Sequence, residues 1–276
     1  LSDPKIIENP HKYFGHLRDT NPVYMNERWG GWIITQYDDV EACLQDNDRL
    51  SVERKTDRLT QGNNEVEETG NMISRWMIFR DPPEHTRLRS LTLEAFNTAA
   101  IEELRPDAER ITQSLIDNIK QRGDGEIDFI DDFAYALPVK IISAMLGVPE
   151  EDSDKIKEWS RGISYTLLHM YDEENRHQKT ERAVKEITSY LRDLIQKREK
   201  NPQDDLISYL IQAQSEGNML DQDEVVATAL LMLFGGHETT MNLLANGVNE
   251  LLKHPGQMAQ LRDEPSLIDG AVEEML

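Results

Sequence analysis

Six consecutive residues, Gly235-Gly236-His237-Glu238-Thr239-Thr240, carry the side chains in this chain best suited to chemistry. They lie inside Asp221 to about Lys253, whose pattern predicts one long helix. Two glycines in a helix interior cost roughly 1 kcal/mol each relative to alanine. Such conflict between local preference and fold is expected at functional sites. Without side-chain bulk, Gly235 and Gly236 let a flat group lie against the backbone. Glu238 and Thr239 then offer a carboxyl and a hydroxyl that can hand protons to chemistry above them. The His237-Glu238 pair invites a metalloprotease reading, which needs a second histidine four residues on. That position is Met241, so the reading fails. The plain alternative is a helix-packing glycine pair with incidental polar residues, although a buried Glu238 would need a partner. Both readings stand at this level.

His85 and Arg89 form a second constellation. Four residues apart on a helix, they share one face. Together they offer a donor and a bidentate cation to an anionic group such as a carboxylate. The alternative is a solvated basic face. Arg87 points elsewhere, toward the surface. A third feature, Glu273-Glu274 on a terminal helical pattern from Ile268 to Leu276, has a solvated helix face as its default reading.

The elements that must position these groups are mostly helical. Asn9-Pro10 opens a short helix. Pro22 to Met25 and Gly31 to Thr35 read as two strands around a hairpin turn at Asn26 to Gly30. A helix from Asp38 carries Cys43. Val52 to Met72 is polar and aperiodic and reads as a long loop, a kind of segment that is usually functional or mobile. Asp81-Pro82-Pro83-Glu84 is a helix start, with Asp81 able to cap and Glu84 placed as a capping-box acid. Further helices are expected over Ile101 to Gln121, Tyr135 to Leu146, Glu151 to about Tyr171, Arg176 to about Lys200 and Leu206 to Gln214. Glu126 to Ile130 reads as a short strand. An acidic turn, Asp172 to Asn175, joins two of the helices. The long helix opens on Asp221-Gln222-Asp223-Glu224, shaped like a capping box, and stops near His254-Pro255-Gly256. At about 1.5 Å per residue it spans on the order of 45 Å. Its apolar middle predicts a central, buried position. The expected class is mainly α with a small β region, as one domain over 1–276. Residues 1–75 are its mixed α/β part and 76–276 its helical part. The chain stops inside a helical pattern, which predicts a longer parent protein.

Composition excludes several classes. The 276 residues are 38% hydrophobic, enough for a substantial core. No apolar run is long enough to span a bilayer, and the N-terminus lacks a basic-then-apolar signal. The expectation is a cytoplasmic protein without a membrane partner. A single cysteine, Cys43, excludes an internal disulfide and any multi-cysteine metal site. The formal charge of −22 argues against nucleic acid. It suits the basic rim of an electron carrier, or solubility alone.

Taken in order, the motifs resemble the cytochrome P450 family, in its soluble bacterial form. Phe79 to Arg89 resembles the C-helix segment, whose histidine and arginine bind a haem propionate. Gly235 to Thr240 resembles the central I-helix motif of small residue, glycine, acid and threonine. Ala271-Val272-Glu273-Glu274-Met275-Leu276 resembles the start of the K-helix Glu-x-x-Arg motif, with Glu274 as its glutamate. Trp32 to Thr35, Leu137-Pro138-Val139, Leu146 to Pro149 and His254-Pro255 are supporting matches. The resemblance covers essentially the whole chain and implies a P450 fold cut within the K helix.

The resemblance implies a haem-thiolate monooxygenase. It would insert one atom of O₂ into an apolar organic substrate, with electrons from a ferredoxin or flavodoxin-type donor. It assigns His85 and Arg89 to a haem b propionate, Gly235 and Gly236 to close approach of the haem, Thr239 to dioxygen and Glu238 to proton relay. No residue of the chain is a metal ligand. The axial cysteine is expected beyond Leu276, and Cys43 reads as a small buried hydrophobe. Substrate contacts are expected from Val52 to Trp76, Ile163 to Tyr171, and near Leu231 and Phe234. Two rivals are a haem-free helical binding module and a peroxide-driven hydroxylase. The latter typically lacks the acid–threonine pair.

Overall fold

In the computed structural model, the described residues are 3–27, 30–53, 67–93, 102, 104–123, 125–167, 176–215 and 220–276. The chain opens with α1 (Pro4–Glu8) and α2 (Pro10–Thr20). Asn9 caps α2 by accepting the Lys12 backbone N–H at 3.2 Å, and Pro10 occupies the first turn. Strands β1 (Val23–Asn26) and β2 (Gly31–Ile34) pair antiparallel, with Val23 opposite Ile34. The predicted hairpin is therefore present. α3 (Tyr37–Gln45) follows and carries Cys43.

Two expectations fail here. Val52 to Met72 is not all loop, because α4 (Glu67–Ile73) occupies its end; residues 54–66 lie outside the described residues. Asp81 does not cap the next helix, α5 (Glu84–Leu93). Its carboxylate instead accepts the Ser51 hydroxyl and the Val52 N–H, the latter at 3.0 Å. These bonds, the Ser51 hydroxyl foremost, hold its pKa below the usual carboxylate value.

The helical body continues with α6 (Arg105–Arg122), α7 (Ala136–Met145), α8 (Ser153–Leu167), α9 (Arg176–Lys200) and α10 (Leu206–Ser215). The expected strand at Glu126 to Ile130 is absent. The chain turns there into a wide helical turn over Ile130–Ala134. The Asp128 carboxylate caps the turn by accepting the Asp131 N–H at 3.0 Å, and Asp132 accepts the Asp128 N–H at 3.0 Å. Acceptors at those spacings favour a turn over an extended strand. The acidic turn Asp172 to Asn175 lies outside the described residues.

α11 (Gln222–Lys253) is the long helix, 32 residues. Its start is a capping box in both directions. Asp221 accepts the Glu224 N–H at 2.8 Å, and Glu224 accepts the Asp221 N–H at 2.8 Å. This satisfies two of the donors that a helix N-terminus leaves unpaired. Val225 to Leu231 is buried throughout, so the apolar run lies on every face. α4, α7, α9 and α10 pack around it. The core runs from Ile73 and Trp76 through Ile142 and Leu146 to Ile187, Leu191, Leu210 and Leu230. The chain ends in α12 (Pro255–Asp263) and α13 (Ile268–Met275), the latter packed on α11. Met275 of α13 fills the space beside Gly247 of α11. No described helix is long and apolar enough to cross a membrane.

Candidate active site

Midway along α11 the burial pattern changes. Upstream residues are buried, but Thr239 and Thr240 are exposed. Each hydroxyl donates back to its own helix: Thr239 Oγ1 to the Gly235 carbonyl at 2.7 Å, Thr240 Oγ1 to the Gly236 carbonyl at 3.1 Å. Back-bonding of this kind often bends helices.

The two glycines face different surroundings. A methyl group at Gly235 would meet nothing within 4 Å, whereas one at Gly236 would lie 3.0 Å from Ile142 of α7. Consecutive helix residues point about 100° apart. Gly235 therefore leaves open space on the helix surface below Thr239, and Gly236 lets α7 pack close.

His237 turns inward and is fully buried. Its Nδ1 lies 2.7 Å from the Leu233 carbonyl, and its Nε2 has no hydrogen-bond partner. The ring packs edge-on against Tyr135 (5.4 Å between centroids) and Phe234 (6.0 Å). Burial holds the imidazole pKa below its ordinary value, against smaller upward pulls from the Leu233 carbonyl and Glu238. Glu238 follows, with Oε2 3.6 Å from His237 Nε2. Tyr135 donates its hydroxyl proton to the Lys157 carbonyl at 2.9 Å, and burial raises its pKa. The Arg161 guanidinium sits 5.0 Å from the centre of the Tyr135 ring and pairs with Asp131.

On α5, His85 is half-buried and Arg89 is exposed. Arg89 makes no ion pair among the described residues. Arg87 behaves differently from its expectation as a surface residue. It is half-buried and donates to Glu84 at 2.8 Å and to Glu224, the capping-box acid of α11. Both carboxylates, Glu224 first, raise its pKa. One carboxylate thus caps α11 and ties α5 to it. Glu224's place in the capping box was legible in the sequence; its reach to Arg87 was not.

One group escaped the sequence reading. Glu181 of α9, only 8% exposed, accepts the backbone N–H of Thr69 at 3.1 Å and its hydroxyl at 2.6 Å. It fixes α4 to α9. Beside α4, the Trp76 ring stacks on Phe79 (6.3 Å) and tilts against Phe234 of α11 (5.5 Å). Together with buried Ile73 and Met77, these rings make an apolar wall upstream of Gly235. Of the expected substrate contacts, Leu231 is buried and Phe234 half-buried, while residues 168–171 lie outside the described residues. Cys43 lies half-buried on α3, which is not among the elements packed extensively on α11. Among the described residues no cluster of His, Cys, Asp and Glu could hold a metal ion.

The sequence profile of the family described as "Cytochrome P450" matches residues 7–274. The chain belongs to the cytochrome P450 family. Across 99% of its length this P450 is 33% identical to the "Biotin biosynthesis cytochrome P450" of Bacillus subtilis (strain 168), covering 67% of that protein. Across 98% of its length it is 37% identical to the "Vitamin D(3) 25-hydroxylase" of Pseudonocardia autotrophica, covering 64% of it. Its backbone matches the crystal structure of P450BioI in complex with hexadec-9Z-enoic acid ligated acyl carrier protein. The TM-score is 0.86 at 31% identity, over 100% of this chain and 70% of that one. The expected P450 fold and its mainly helical class are thus present, and the P450 is a monooxygenase of the haem-iron class.

The residues present fit such a cofactor. The surface at Gly235 is open, the exposed Thr239 hydroxyl lies at its carbonyl, and Arg89, which makes no ion pair among the described residues, is one helical turn from His85 on α5.

Proposed function

We propose that this P450 inserts one oxygen atom from O₂ into an apolar organic substrate, using electrons from a ferredoxin or flavodoxin-type protein. When bound, the haem iron supplies the activation of O₂. The chain's own residues bind, orient and deliver protons. Arg89 and His85 hold a propionate through charge-assisted hydrogen bonds. Gly235 leaves room for the macrocycle and the small oxidant. Thr239 presents its hydroxyl to that space, and Glu238 next to it holds the proton that the hydroxyl passes on. Trp76, Met77, Phe79 and Phe234 line the side from which an apolar substrate approaches, a lining common in ligand pockets. Gly236 serves packing against Ile142, so the cofactor role is kept for Gly235. Cys43, on α3, has no part in the site.

The observation that carries this reading is the pairing of an open Gly235 with an exposed Thr239 whose hydroxyl is held at the Gly235 carbonyl, 2.7 Å away. The acid–threonine pair also favours O₂ over peroxide as the oxidant. Arg89 supplies a test. A hydrogen bond to a charged group contributes about 1.5–3 kcal/mol, so Arg89→Ala should lose haem to a scavenger protein on the order of ten to a hundred times faster. Arg89→Lys should restore part of the difference. Arg87→Ala should lower stability through Glu224 but leave haem release unchanged. If Arg89→Ala releases haem at the wild-type rate, the propionate assignment is wrong.

A further inference from the structure

His237 has the orphaned polar atom most directly involved with the site. Its side chain is fully buried, and Nε2 has no partner. The tautomer follows from the other nitrogen. The Leu233 carbonyl can only accept, so at 2.7 Å Nδ1 must carry the hydrogen. In the neutral ring Nε2 is then a bare acceptor. A buried acceptor left unpaired costs about 1–3 kcal/mol, so the surroundings must feed it in some state of the protein.

Few groups can. The Tyr135 ring packs edge-on against the imidazole from just before α7, but its hydroxyl proton goes to the Lys157 carbonyl. Arg161 and Lys157 of α8 lie over Tyr135, 5.0 and 5.2 Å from its ring centre, and Asp131 is paired to Arg161. Phe234 has nothing to donate. Glu238 remains, with Oε2 3.6 Å from Nε2. An ionised carboxylate and a bare nitrogen lone pair repel at that distance. A protonated carboxyl has one hydrogen to give, and a rotation of a few tenths of an ångström closes the bond.

We infer that His237 is a positioning residue: its Nε2 accepts the hydrogen bond of protonated Glu238 and holds the loaded carboxyl beside Thr239 between turnovers. The inference rests on the proton-delivery reading of Glu238 and Thr239. The bond exists only when the carboxyl carries its proton, so the histidine orients the loaded carboxyl without itself becoming charged, a state that burial disfavours. Release of the proton toward Thr239 breaks the bond and returns the carboxylate to its resting separation. A glutamate next to an apolar residue would have no such holder.

The test is nitrogen NMR of the haem-loaded protein labelled with ¹⁵N-histidine, as its diamagnetic ferrous carbon-monoxide complex, with His237→Phe used to assign the signal. Expected is a neutral ring with hydrogen on Nδ1 and a Nε2 shift displaced toward the hydrogen-bonded range as pH falls. Glu238→Ala should abolish that displacement. A displacement that survives Glu238→Ala would mean that a trapped water feeds Nε2, and would overturn the inference. In turnover, His237→Phe keeps the ring packing but lacks the acceptor. It should lower product formed per electron by about tenfold, a modest part of the roughly 10²–10⁴ that a positioned general acid contributes. His237→Gln, whose side-chain oxygen can accept, should recover part of the loss. Full coupling in His237→Phe would also overturn it. Failure of the wider reading is distinguishable: Thr239→Ala would then also remain fully coupled.

Discussion

Thr239→Ala is expected to keep the fold, take up haem and accept electrons at a wild-type rate, yet send most of those electrons to hydrogen peroxide. Product per reducing equivalent should fall by an order of magnitude or more, within the roughly 10²–10⁴ attributed to a positioned proton donor. The structural reason is local. The hydroxyl is exposed on the open face of α11 and oriented by its 2.7 Å bond to the Gly235 carbonyl. Alanine removes the only side-chain donor at that position. Thr240 cannot replace it, because its side chain points about 100° round the helix, beside Gly236 rather than the open Gly235. Being exposed, Thr239 contributes little packing, so stability should change by less than about 1 kcal/mol. Thr239→Ser keeps the hydroxyl and should stay largely coupled. Parallel measurement of oxygen consumed, peroxide released and product formed checks this. An unchanged peroxide fraction in Thr239→Ala would remove Thr239 from the mechanism.

Asp205→Ala should be the most damaging single change to stability among the buried ion pairs. Asp205 is 2% exposed and accepts the Arg198 guanidinium. Its other oxygen caps α10 by accepting the Ser208 N–H at 2.8 Å. Arg198 in turn donates to the Gly147 carbonyl at 2.7 Å, so one carboxylate joins α9, α10 and the end of α7. Removing one partner of a buried pair costs about 3–5 kcal/mol, because the other charge is left uncompensated. Loss of the cap adds about 1 kcal/mol. Domains are stable by only about 5–15 kcal/mol in total, so the variant should melt on the order of 10 °C lower. Asp205→Asn keeps the cap and should fall between. Gly147→Ala attacks the same junction from the other side. Gly147 has φ +76°, and an added methyl would lie 2.0 Å from Asp205 Oδ2. Thermal melts followed by circular dichroism decide it. A shift of under 2 °C for Asp205→Ala would mean that the pair contributes nothing.

The parts of the fold legible in the sequence were those fixed by local signals. The capping box at Asp221 and Glu224, followed by an apolar run on every face, announced α11 and its buried position. Alternation around a turn announced the β1–β2 hairpin, and Gly147 with Pro149 announced the end of α7. What was missed depended on distant partners. α4 begins with polar residues and contains Gly70, and it is pinned by Glu181, 112 residues away. The β-branched look of Glu126 to Ile130 was overridden by Asp128 and Asp132, which bind backbone N–H groups across the turn. In the site, the glycine pair and the acid–threonine pair stood out, but the division of labour between Gly235 and Gly236 needed Ile142. The inward turn of His237 needed Tyr135. Arg87 passed as a surface residue because its partner Glu224 lies 137 residues on.

The central claim is that the open face of α11 and the His85–Arg89 face of α5 hold a thiolate-ligated haem that activates O₂. The carbon-monoxide difference spectrum of the dithionite-reduced protein, purified from its source organism, tests it most directly. The account predicts the red-shifted Soret band of a thiolate-bound haem. A band typical of nitrogen ligation, or no haem band, would contradict it.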